Sequence, residues 1–266
     1  MRLLQIGCGN MGGAMLAGWL AAGFLPGDFT VVDPLLAQAP GGVTLLRELP
    51  EADAPFDIVL LGFKPQQLGE AASGIARMVG TGTLLLSILA GVDLSTLRRH
   101  FPDAGGIVRV MPNLAAALGK SPIALVADFS ADQRAMTDRL MAPLGQAEWL
   151  GDERLMDLVT ALAGSGPAFV YRVIDALAAG AASLGLPREQ ADRLALSMVE
   201  GAAALAAGSP HSPGELARRV ASPGGVTQGG LDVLDADGRL AALMADTLRG
   251  ARDRSAEMTA GARNRG

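Results

Sequence analysis

The sequence predicts an α/β protein in two parts: a doubly wound sheet domain over residues 1–151, then an all-helical domain over residues 152–266. Three observations carry this. The first half alternates short apolar runs with helix-forming stretches. Those runs are continuous rather than alternating, as expected of parallel strands buried on both faces. After about Asp152 the strand-like runs stop and alanine-rich helical stretches take over.

Taken in order, Arg2 to Ile6 is an apolar run that stops at Gly7, and Asn10 to Ala22 is a helix closed by Gly23. Five further strands are expected at Phe29 to Asp33, Asp57 to Gly62, Thr83 to Leu89, Ile107 to Met111 and Ile123 to Val126. Pro65 to Met78 is one of the polar or helical connections between them. In the second half, "IDALAAGAASLG" and "PREQADRLALSMVEGAAALAAG" read as helices. Pro187 suits a first helical position and Gly208 a C-terminal stop. Arg239 to Met258 places Leu240, Leu243, Met244 and Leu248 on one stripe of a further helix. The last residues, Ala260 to Gly266, are expected to fray.

Composition sets outer limits. A chain of 266 residues that is 50% apolar can bury a sizeable core. Its net charge is -5 and it has no Lys/Arg cluster, so nucleic acid is not an expected partner. Cys8 is the only cysteine, which rules out an intrachain disulfide and fits a reducing, cytoplasmic compartment. The N-terminus has an early Arg and a small, apolar stretch, but its glycine spacing and helical character argue against a signal peptide. No uninterrupted apolar run approaches the roughly 18 residues of a membrane span.

Gly7-Cys8-Gly9-Asn10-Met11-Gly12 is G-x-G-x-x-G between a strand and a helix. In that setting the first glycine permits the turn, the second lets a pyrophosphate approach, and the third lets helix and strand pack closely. The N–H groups that open the helix, around Asn10 and Met11, face the phosphates. Asp33 lies roughly 20 residues beyond the loop, at the end of the second strand, placed to accept from a ribose 2′-OH. It therefore favours NADH over NADPH. Cys8 reads as a small core filler.

Other chemistry is sparse. His100 and His211 are the only histidines and Lys64 and Lys120 the only lysines. No Ser-His-Asp set suggests itself, and no Cys/His cluster suggests a metal. His100 is expected at a helix surface and His211 in a turn-rich loop. Lys64 and Asn113 each follow a strand, so both fall at the ligand-facing edge of such a sheet. Lys64 is a cofactor-side candidate, and Asn113 a contact for the nicotinamide end. Ser165, in Gly164-Ser165-Gly166-Pro167, precedes a long helix and is a substrate-side candidate.

A second glycine cluster, "SPGGVTQGG", lies far along the chain at Ser222 to Gly230. Pro223 with Gly224 and Gly225 suits a tight turn, and Val226 onward reads as a helix start. The bland alternative is a plain interhelical loop with Ser222 as N-cap.

Together, "IGCGNMGGAML", "FKPQ", "VRVMPN", "GSGPAFVY" and "SPGGVTQGGLDVLD" resemble the pyrroline-5-carboxylate reductase family in order and spacing, from about Ile6 to Met258. The resemblance implies a Rossmann domain, then a helical domain that intertwines with a second copy into a homodimer; dimers in the family often form larger rings. It implies reduction of the cyclic imine 1-pyrroline-5-carboxylate to L-proline by NADH or NADPH, the last step of proline biosynthesis. It places the substrate carboxylate on the loop's backbone amides and the ring nitrogen on its Thr. Those roles fall on Ser222, Gly224, Gly225, Val226 and Thr227, with Thr227 and Ser222 as the catalytic pair.

There are departures. Leu114-Ala115-Ala116 stands where the family usually has Thr-Pro-Ala. Ser212-Pro213 and Ala217-Arg218 replace a frequent His-Pro and Lys-Asp. The chain also resembles β-hydroxyacid dehydrogenases in layout, but it has no lysine after Lys120, where that family needs one. A reductase of another cyclic imino acid and a non-catalytic nucleotide-binding homologue remain open.

Overall fold

A computed structural model of the chain describes residues 1–51, 55–129 and 131–263. It divides into two compact units: residues 1–164 together with 250–266, and residues 165–249. The expected boundary at 151/152 therefore lies ahead of where packing divides the chain.

The first unit is built on eight strands: β1 (Leu3–Ile6), β2 (Phe29–Val32), β3 (Thr44–Leu46), β4 (Ile58–Leu61), β5 (Leu84–Ser87), β6 (Gly106–Met111), β7 (Ser121–Asp128) and β8 (Gly145–Trp149). They form one sheet in the order β3-β2-β1-β4-β5-β6-β7-β8. β1 to β6 are parallel, which matches the doubly wound reading. β7 is a correction, since it runs antiparallel to β6. The connection 112–120 is shorter than the dozen or so residues a parallel crossover needs, so the chain turns straight back. β3 and β8 went unread in the sequence. β3 is short and half-exposed, and β8 alternates exposed with half-buried residues, so neither shows a continuous apolar run.

Helices cover both faces. On one face, α1 (Asn10–Ala21) brings Met15, Leu16 and Trp19 against Leu3, Val31, Ile58 and Leu84, and α4 (Ala131–Met141) adds Leu140 and Met141. On the other, α2 (Leu68–Ala76) and α3 (Leu94–His100) bring Leu68, Ala72, Ile75 and Leu97 against Leu4, Ile6, Val59 and Leu61. Strand residues thus alternate between two buried faces, which is why each strand reads as a continuous apolar run. α3 closes at His100, which is half-buried rather than fully at the surface.

One contact ties the stretch after β8 to the sheet. Arg109 of β6 is buried and its guanidinium lies 2.6 Å from Glu153. Farther on, α5 (Met156–Val159) presents Asp157, which accepts from the hydroxyls of Ser255 (2.7 Å) and Thr259 (3.1 Å). Those two hydroxyls lie near the C-terminal end of the last helix, so that end counts with the first unit.

The second unit is helical: α6 (Gly166–Ser183), α7 (Arg188–Ala207), α8 (Pro213–Val220), α9 (Val226–Asp235) and the first part of α10 (Arg239–Arg263). α6 and α7 pack through Ala178, Ala191 and Ala195. Pro187 stands at the N-cap, so the helix begins at Arg188, one residue later than expected, and Gly208 is the C-cap. α10 runs five residues past the expected end at Met258, into the segment expected to fray; residues 264–266 lie outside the described residues. Among the described residues no helix is long and apolar enough to cross a membrane.

Trp19 locks α1 to α4. Its ring is fully buried and stacks on Phe29 at 5.8 Å, and its Nε1–H donates to the Leu140 carbonyl at 2.7 Å. That carbonyl is among the last four of α4 and has no partner within the helix. Trp19→Phe leaves it unpaired and should lower the unfolding free energy by about 1–3 kcal/mol. Chemical denaturation measures this; an unchanged midpoint would show that the indole bond contributes nothing.

Candidate functional site

The glycine loop sits where β1 ends, and its three glycines face different surroundings. Gly7 has φ +87, and a Cβ built there would lie 2.6 Å from the Gly62 carbonyl oxygen, so only glycine lets β1 and the end of β4 approach this closely. A Cβ on Gly12 would lie 2.7 Å from the Gln5 amide nitrogen and 2.8 Å from the Gly7 oxygen, inside the strand–helix contact. A Cβ on Gly9 meets nothing within 4 Å. Gly9 is also the N-cap of α1, with no side-chain cap. The loop is therefore closed behind Gly7 and Gly12 and open in front of Gly9, beside the uncapped start of a helix at Asn10 and Met11. A pyrophosphate fits that open side: backbone N–H groups and the helix dipole supply its charge complement.

Gln5 fixes the loop from below. Its side chain is fully buried, its Nε2 donates to the Gly7 carbonyl at 3.1 Å, and its Oε1 has no partner among the described residues. Reading β1 as a plain apolar run missed this buried amide; a polar residue two before the first glycine was the available signal.

Asp33 does more than the sequence indicated. Its Oδ2 accepts from the Cys8 N–H at 2.7 Å, and its Oδ1 accepts from the N–H groups of Leu35 (2.8 Å) and Leu36 (3.0 Å). The carboxylate thus ties the glycine loop to the turn after β2. Partial burial pushes the carboxyl up, but the donors at Cys8, Leu35 and Leu36 and the charge of Arg47 outweigh it and hold it below the ordinary carboxylate range. Cys8 is 9% exposed and packs in the core, consistent with a filler. Burial first, then the Asp33 charge, pushes its thiol up, against a smaller lowering from Gln5.

Lys64 lies just past β4, beyond the Gly62 carbonyl that Gly7 abuts, and its side chain is exposed. Its N–H donates to Gln67 Oε1 at 3.2 Å, which sets the start of the next helical turn. Asn113 is placed otherwise than expected. It is 8% exposed; its Nδ2 donates to the Ala163 carbonyl at 2.9 Å and its Oδ1 accepts from Ala115 N–H at 2.9 Å. Its amide is a structural tie, so the expected open contact with the nicotinamide is not what this geometry presents. The unusual Leu114-Ala115-Ala116 forms a 3-10 turn capped by Asn113, with Ala116 fully buried against α1.

In the helical unit, Ser222-Pro223-Gly224-Gly225 is a tight turn. The Gly225 N–H donates to the Ser222 carbonyl at 2.9 Å, and Gly224 has φ +69. Pro at the second position and a positive-φ glycine at the third define a type II turn. The N-cap of α9 is Gly225, with no side-chain cap, so Ser222 is not the cap that the plain-loop reading required. Ser222, Gly224, Val226 and Thr227 are exposed. The turn delivers uncapped helix N–H groups and a Thr hydroxyl to one open face. Ser165 is the N-cap of α6, with no side-chain cap bond, and is half-buried.

A six-strand parallel core in this order, with an open glycine loop at the end of β1, defines a Rossmann-type dinucleotide-dependent oxidoreductase. A family model described as pyrroline-5-carboxylate reductase dimerisation matches residues 153–258, and one described as NADP oxidoreductase, coenzyme F420-dependent, matches residues 3–91. Pyrroline-5-carboxylate reductase of Pseudomonas aeruginosa is 35% identical over 97% of this chain and 96% of its own length. That of Methanosarcina acetivorans is 36% identical over 95% and 96%. The solved pyrroline-5-carboxylate reductase of Coxiella burnetii superposes with a TM-score of 0.89 at 28% identity, covering 97% of this chain and 98% of its own. The chain belongs to the pyrroline-5-carboxylate reductase family.

The glycine geometry separates folding from binding. Gly9→Ala should leave the unfolding midpoint unchanged while raising the Kd for the dinucleotide about tenfold or more, because its methyl enters only the open side. Gly7→Ala and Gly12→Ala should instead cost about 1–3 kcal/mol of stability, since each pushes a methyl into packed atoms. Equal stability losses at all three positions would contradict this assignment. Asp33→Ala frees three N–H groups and should cost about 1 kcal/mol at neutral pH, the partial exposure of the side chain keeping it low. A carboxyl lowered in the folded state stabilises fully above its unfolded value, near 3.9, and loses that contribution as pH falls through the lower native value. The gap between parent and variant in urea midpoint should therefore close below about pH 4.

Proposed function

We propose that this chain reduces 1-pyrroline-5-carboxylate to L-proline with a nicotinamide dinucleotide, in the cytoplasm, as the last step of proline biosynthesis. The observation that carries the reading is the pairing, in one chain, of an open glycine loop at the end of β1 with the uncapped Ser222–Thr227 turn. The dinucleotide is held by Gly7, Gly9, Asn10, Met11 and Gly12, with Asp33 at the ribose and Lys64 beside the loop. When bound, the nicotinamide supplies the hydride that reduces the C=N bond.

The substrate needs little acid–base machinery from the protein. A protonated imine is already an electrophile, so binding and orientation are the main tasks. The backbone N–H groups at Gly224, Gly225 and Val226 hold the carboxylate, aided by the dipole of α9. Thr227 offers its hydroxyl to the ring nitrogen. Ser222 closes the turn, and Ser165 adds a hydroxyl at the start of α6. The single Cys8 suits a reducing compartment.

The helical unit works as a homodimer. Its buried core is only Ala178, Ala191 and Ala195, while Tyr171 (68% exposed), Leu184 (90%) and Leu205 (76%) stand at its surface. Apolar exposure on that scale is covered by a second copy.

Asp33 favours NADH, because its carboxylate retains acceptor capacity for a 2′-OH and repels a 2′-phosphate. A kcat/KM for NADPH tenfold or more above that for NADH would overturn that preference.

Losing a hydrogen bond to a charged group costs roughly 1.5–3 kcal/mol, about 10- to 150-fold in rate. Thr227→Ala should lower kcat/KM for the imine by that factor and leave the Kd of the dinucleotide unchanged. Parent-like turnover by the variant would remove Thr227 from the mechanism. A parallel screen of five- and six-membered cyclic imino acids identifies the preferred ring.

A further inference from the structure

We propose that Arg47 is a specificity-determining residue for the cofactor, the cationic partner of Asp33 at the ribose 2′ position. The inference rests on the reading above, that the glycine loop binds a nicotinamide dinucleotide. In sequence, Arg47 is 14 residues from Asp33 and outside any ribose-reading motif. The sheet removes that distance: β3 lies beside β2 with Val32 opposite Leu46, so the residue after each strand falls at the same edge.

The side chain is pinned there. Nη1 of Arg47 donates to the Asp33 carbonyl at 3.1 Å and to the Leu36 carbonyl, and Nη2 donates to the Ala37 carbonyl at 3.3 Å. The guanidinium is thereby fixed on the turn whose N–H groups the Asp33 carboxylate holds from the other side. Arg47 is exposed, and its remaining N–H groups, one on Nη2 and the one on Nε, have no partner among the described residues. A positive fork and a carboxylate thus share one five-residue turn, both reachable from solvent.

The two groups read opposite chemistries. A carboxylate accepts from a hydroxyl and repels a phosphate; a guanidinium fork pairs with a phosphate and gains little from a hydroxyl. With Asp33 alone, a 2′-phosphate would meet uncompensated negative charge. With Arg47 fixed beside it, the phosphate finds a partner, and the preference for NADH becomes a small margin rather than an exclusion.

The test uses the full chain and two fragment probes, 5′-AMP and adenosine 2′,5′-bisphosphate, by isothermal titration calorimetry. Arg47→Gln should weaken the bisphosphate about tenfold or more while leaving 5′-AMP within twofold, and the parent's bisphosphate affinity should fall more steeply with salt than its 5′-AMP affinity. Arg47→Lys keeps the charge without the fork and should fall between parent and Arg47→Gln. If both probes weaken together in Arg47→Gln, Arg47 merely props the turn; if neither weakens, it does not reach the site. Either result overturns the proposal. A parent that binds neither probe nor NADH would instead remove the dinucleotide reading itself. A melting curve for each variant separates loss of binding from loss of fold, and Arg47→Lys keeps the test decisive if Arg47→Gln unfolds.

Discussion

Everything in the first unit depends on how closely three stretches of backbone meet at the end of β1. The Gly7 position lies against the Gly62 carbonyl, and the Gly12 position lies against Gln5 and the Gly7 carbonyl. No side chain larger than hydrogen fits at either place. That crowding sets the direction in which α1 leaves the sheet, and so where its first N–H groups point. It also confines open space to the front of Gly9. A binding loop is made here by filling every direction except one.

Asp33 carries that constraint to the neighbouring strand. Its carboxylate accepts from Cys8 through one oxygen and from Leu35 and Leu36 through the other, so one side chain ties the glycine loop to the turn after β2. Arg47 holds the same turn by its carbonyls. Two N–H groups and three carbonyls of one short turn are thus bonded by a carboxylate and a guanidinium. An isolated surface ion pair contributes little to stability. A charged group bonded to several fixed backbone groups contributes more, because those groups would otherwise have to find solvent.

The helical unit works on the opposite principle. Its interior is alanine, which lets helix axes approach but buries little apolar area, and its larger apolar side chains face outward. Small residues inside and large ones outside make a poor monomer and a good subunit. The type II turn at Ser222–Gly225 presents backbone polarity instead, and it does so through glycine geometry rather than charged side chains.

The sequence by itself determined the parallel core, the glycine loop and the Ser222–Thr227 turn. Each rests on local spacing: apolar runs for doubly covered strands, glycines at fixed offsets, proline followed by glycine in a turn. It also located Asp33 and the start of α9. Only the tertiary structure decided the rest. β3 and β8 are edge strands with one wet face, so they carry no apolar run to read. β7 reversed direction because its connection is too short to cross over. Asn113 sits at the ligand-side end of β6, yet its amide turns inward to Ala163, fifty residues away. Arg47 reached Asp33 only through the pairing of β2 with β3. In each case the deciding contact joins residues far apart in the chain, and local pattern holds no record of which distant backbone group a side chain will meet.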